Sequence, residues 1–113
     1  MSRIRELQAI AAVSQLVLDH RLATLRDAAV QLDRSRAQLT AINAAAVPAD
    51  LPTVAAGLVD VGYRRWADTR RTELNTVMAR QTAVVLDARV EASTAFGRLQ
   101  ALRGLADRLA KKP

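Results

Sequence analysis

The sequence predicts an all-α protein: an antiparallel two-helix coiled-coil hairpin whose second helix is the longer. Three observations predict it. Ile4, Ala11, Leu18, Leu25, Leu32, Leu39 and Ala46 recur every seven residues and are all apolar. A helix turns every 3.6 residues, so a column held at seven stays on one side only when the rod winds against a partner. The composition agrees, because strong helix formers dominate and aromatics make up 3% of the 113 residues, too few for an ordinary globular core. Finally, a single segment, Val47 to Thr53, interrupts the helical pattern.

The first helix is expected over about 3–45, with Ser2 as its N-cap. A companion column, Leu7, Ser14, Arg21, Ala28, Ser35 and Ile42, is mostly small in its middle. Leucines alternating with small residues let two antiparallel helices approach closely. The break follows at 46–53. Pro48 and Pro52 lack the backbone N–H and clash with the preceding turn, so neither continues a helix. Thr53 is a suitable cap for the next one.

The second helix is expected over about 55–110. Steps of four and three give Leu74, Met78, Gln81, Val85, Ala88, Ala92, Ala95, Leu99, Leu102, Ala106 and Leu109. Gln81 is the one polar member; either it fixes the register or its end reaches the edge of the seam. Folding the chain at the prolines pairs Leu25 with Leu74, Leu18 with Gln81, Ala11 with Ala88 and Ile4 with Ala95. On that register the residues from Leu99 onward project past the first helix. Leu99, Leu102, Arg103, Leu105, Arg108 and Leu109 then form an unmatched strip, which either docks a protein partner or frays.

A second candidate surface is Tyr63-Arg-Arg-Trp-Ala-Asp-Thr-Arg-Arg71. On a helix Tyr63, Trp66 and Arg70 share a face, with Arg64, Arg71 and Asp68 flanking them, and Arg65 completes the candidate set. Trp66 either closes the turn end of the hairpin against Ile42 and Leu39 or stands out as an interface anchor with Arg70 stacked on it.

Net charge is +6, and 15 of the 17 basic residues are Arg. Acidic residues are interspersed throughout, so the charges read as solvated helix faces rather than a nucleic-acid tract. His20 is the only histidine, and no further ligand stands three or four residues away. No cysteine, phosphate loop or nucleophile-base arrangement is present. The expectation is no enzyme, no metal and no cofactor. The apolar runs are too short to cross a bilayer and no secretory signal is visible, so the chain is expected in the cytoplasm.

The column Ile4 to Leu39, the Arg-Arg-Trp segment at 64–66 and the end Arg98-Leu-Gln-Ala-Leu-Arg103 resemble the FliJ/YscO-type stalk proteins of flagellar and type III export ATPases. The resemblance implies a non-enzymatic coiled-coil stalk or adaptor, peripheral at the inner face of the membrane. Its end from Leu99 to Leu109 would enter the ATPase ring, and its Trp66 end would reach the export gate or chaperones. Two alternatives come from other classes: a small secreted or adaptor hairpin of the WXG type, and a basic nucleic-acid-associated coiled coil. Trp66 is followed by Ala67-Asp68 with no glycine, unlike the WXG motif. Self-association is open in each case.

Overall fold

A computed structural model describes residues 2–45 and 53–111. It is a helical hairpin of α1, Ser2–Ala44, and α2, Thr53–Lys111, with 43 and 59 residues respectively. Of the turn expected at 46–53, residues 46–52 lie outside the described residues and Thr53 opens α2. Every glycine and every other described residue keeps negative φ, so both helices run without a backbone irregularity.

The seam follows the two heptad columns. Leu18, Leu32, Ser35 and Ile42 are buried on α1; Ala67, Leu74, Val85, Ala88, Ala92, Ala95 and Leu99 are buried on α2. A serine in this seam needs a partner for its hydroxyl. Ser35 donates to the Gln31 carbonyl one turn back at 3.3 Å, which keeps the group satisfied inside its own helix. Thr24, Thr40, Thr72, Thr76 and Thr82 do the same on exposed faces. Gln81 is half-buried, and its Oε1 is buried with no hydrogen-bond partner among the described residues. It stays in the seam.

Contacts divide the hairpin into two compact units, each built from a piece of both helices: Met1–Ala29 with Val84–Pro113, and Val30–Ala83. In the first unit Leu18, Ala95 and Leu99 form one buried cluster, with Ala11 packed against it. Arg21 pairs with Glu91 at 2.6 Å, and Arg103 Nη2 donates to Gln15 Oε1 at 2.9 Å. Later residues of α2 thus meet earlier residues of α1, and the helices are antiparallel. In the second unit Ile42, Ala67 and Leu74 form the cluster, with Leu39, Tyr63 and Met78 packed on it.

These contacts correct the register. Ala95 meets Leu18, not Ile4; Leu74 is buried with Ile42 and Ala67, the place assigned to Leu25. The shift from Ile4 to Leu18 is two heptads. The turn-centred register laid alanine on alanine and set Leu18 against polar Gln81. The observed one sets Leu18 and Leu99 around Ala95, large against small, and leaves Leu99 only 2% exposed. Burying one such leucine fully contributes roughly 1.5–3 kcal/mol. Size complementarity, rather than proximity to the turn, decides the pairing.

Candidate protein-docking surface

The corrected register changes which apolar residues are left over. Leu99 is buried, and Leu102 and Leu109 are half-buried. Arg103 is held by Gln15 of α1. The end of α2 is therefore a matched part of the hairpin and not an overhang. Only Leu105, at 47%, keeps a large exposed apolar surface there; Arg108 is exposed beside it. A groove of about 590 Å³ lies at this end, lined by Gln8, Ala11, Ala12 and Gln15 of α1 and by Arg103, Ala106 and Asp107 of α2.

The start of α2 is one place where apolar residues stand uncovered; Val13, Leu16 and Val90 are others. α1 ends at Ala44, and its last seam residue, Ile42, already packs on Ala67 and Leu74. The turns of α2 before Tyr63 receive no cover from the described residues of α1. Val54, Leu58 and Val61, spaced at i, i+4 and i+7 on one face, are 77%, 71% and 51% exposed. Val59 is 44% exposed on the adjoining face.

Tyr63 and Trp66 sit where this stretch joins the hairpin, and the structure gives them different roles. Tyr63 is half-buried against Ile42 and donates its hydroxyl to the Ile42 carbonyl at 2.5 Å. Trp66 is 54% exposed. Its ring lies 5.7 Å from that of Tyr63, tilted by 41°. The closing of the seam against Ile42, one of the two roles open to Trp66, falls to Tyr63 and Ala67. Trp66 projects outward with a fixed tyrosine behind it.

The arginines divide in the same way. Arg70 Nη2 donates to Gln38 at 2.8 Å while its Nη1 pairs with Glu73 at 3.1 Å. Those bonds take the guanidinium to α1 and Glu73 in place of the expected stacking on Trp66. Arg71 similarly bridges Asn43, at 2.9 Å, and Asp68, at 3.1 Å. Gln38 and Asn43 were not singled out in the sequence, though each flanks the α1 seam where a cross-helix partner belongs. Arg64 pairs with Asp60 one turn back at 2.8 Å. Arg65 is exposed and forms no ion pair with another described residue. The resulting surface has an exposed aromatic, three exposed aliphatic side chains in a row and one uncommitted cation. That combination suits contact with a protein.

No helix of the described residues is long and apolar enough to cross a membrane. The chain matches no protein-family model, no curated protein and no solved structure.

Proposed function

We propose that the chain is a non-enzymatic coiled-coil stalk or adaptor that docks a protein partner through the uncovered start of α2. The observation that carries this reading is the row Val54, Leu58 and Val61, more than half exposed, with Val59 and Trp66 exposed seven residues apart on the adjoining face. Such a row is costly to leave in water, about 25 cal/mol for each Å² of apolar surface, and a partner that covers it gains that amount. Tyr63, held by Ile42, backs the exposed Trp66 ring on one side.

In the setting that the stalk resemblance implies, the partner at this end is an export gate component or a chaperone. The matched terminal end, where Leu105 and Arg108 are exposed, is assigned to the ring of a flagellar or type III export ATPase in the cytoplasm. A rod acts there by contact, and it biases the ring only through different affinities for its states.

The test uses purified export ATPase and the cytoplasmic domain of the export gate from the same organism. The chain should bind both. Leu58→Asp and Trp66→Ala should keep full helicity, keep ATPase binding and lose gate binding by tenfold or more. Unchanged gate binding by both variants would overturn the assignment of the α2 start as the dock. Failure of the parent chain to bind either protein would overturn the export setting.

A further inference from the structure

Away from the seam, α1 carries a third seven-residue column: Ala9, Leu16, Ala23, Val30 and Ala37. The outward positions of a hairpin helix ordinarily hold charge. This column holds none, and Leu16 and Val30 are 68% and 45% exposed. Charges flank it in an ordered way. On one flank Asp19 and Arg26 stand four residues before and three after Ala23. On the other His20 and Asp27 stand three before and four after.

That order is self-complementary about Ala23. A two-fold contact uses the same patch on both molecules, so that residue i meets j while j meets i. We infer that this face of α1 pairs antiparallel with the same face of a second copy of this chain. Ala23 then meets Ala23, and Leu16 meets Val30 of the second copy. Asp19 meets Arg26 and His20 meets Asp27, each twice over. The remaining charges meet none of their own sign: Arg5 and Glu6 come opposite Thr40 and Ala41, Asp33 opposite Ala12, and Arg34 opposite Val13.

The groups needed are available. Arg26 and Asp27 are exposed and form no ion pair with another described residue. Asp19 accepts from Gln15 at 2.9 Å through Oδ1, which leaves Oδ2 for a second donor. A neutral imidazole can donate one N–H to the Asp27 carboxylate. Opposite charges across an interface also fix its register and suppress other alignments. The surface is separate from the α2 start, so this inference stands whether or not that dock is used.

Sedimentation equilibrium on the full chain tests it. The parent chain should dimerise, and more weakly as salt screens the exposed pairs. Arg26→Asp sets like charges together at two places and should weaken the dimer about tenfold or more. The double variant Asp19→Arg/Arg26→Asp reverses both signs and should restore it. Circular dichroism should be unchanged throughout, since both positions lie outside the seam. A monomeric parent chain, a dimer indifferent to Arg26→Asp, or a double variant no better than the single one would each overturn the inference.

Discussion

The Tyr63 hydroxyl donates to the Ile42 carbonyl at 2.5 Å, two residues before α1 ends. The last four carbonyls of any helix lack a partner within it. Here the Ala45 N–H takes that of Ala41, and a side chain from α2 takes that of Ile42. That hydrogen bond satisfies an end carbonyl of α1 and ties it to α2.

Removing that hydroxyl should be felt in stability. Tyr63→Phe leaves a half-buried carbonyl unpaired and should cost about 1 kcal/mol. Trp66→Ala, at an exposed ring, should cost less than about 0.5 kcal/mol. Urea unfolding followed by circular dichroism gives both values. Equal losses, or the larger one at Trp66, would show that the two aromatics have been given each other's roles.

The end of α2 should behave as core at one leucine and as surface at another. Leu99→Ala should cost roughly 2–5 kcal/mol, because the residue is 2% exposed between Leu18 and Ala95. Leu105→Ala should change stability by about 0.5 kcal/mol or less. Truncation after Arg98 should accordingly lose structure, whereas an unmatched overhang would leave the hairpin intact. Thermal melts of the three variants decide it.

Gly97 lies within α2 at negative φ, and a Cβ built there meets nothing within 4 Å. Neither backbone conformation nor packing within the chain calls for glycine. Gly97→Ala should therefore stabilise the protein by about 0.5–1 kcal/mol through the unfolded chain's entropy. A decrease in stability would mean that another backbone occupies the space beside Gly97.

The two seams were legible in the sequence because apolar spacing at seven and at four-three is a direct image of helix geometry. Their register was not. A heptad seam matches itself again after every shift of seven, so Ala95 fits Ile4 and Leu18 equally by pattern. Side-chain size and the flanking pairs, Arg70 with Gln38 and Arg71 with Asn43, break the tie, and both need the helices side by side. The roles of Tyr63 and Trp66 were only partly within reach. Carrying the four-three steps back from Leu74 lands on Arg71, Ala67 and Arg64, so the pattern picks out Ala67 but neither aromatic, and Tyr63 enters the seam one position off the column. The uncovered row at 54–61 followed from the register and was hidden with it.

The register is the claim on which the rest depends, since it decides which end of α2 is covered. Oxidation of the pair Leu18→Cys/Ala95→Cys tests it most directly. Facing seam positions bring Cβ atoms to within about 4.5 Å, close enough for a disulfide. Rapid intramolecular closure is predicted for this pair and none for Ile4→Cys/Ala95→Cys, read as a mobility shift on a non-reducing gel. Closure of the second pair without the first would contradict the register, restore the terminal overhang and remove the case for a dock at the start of α2.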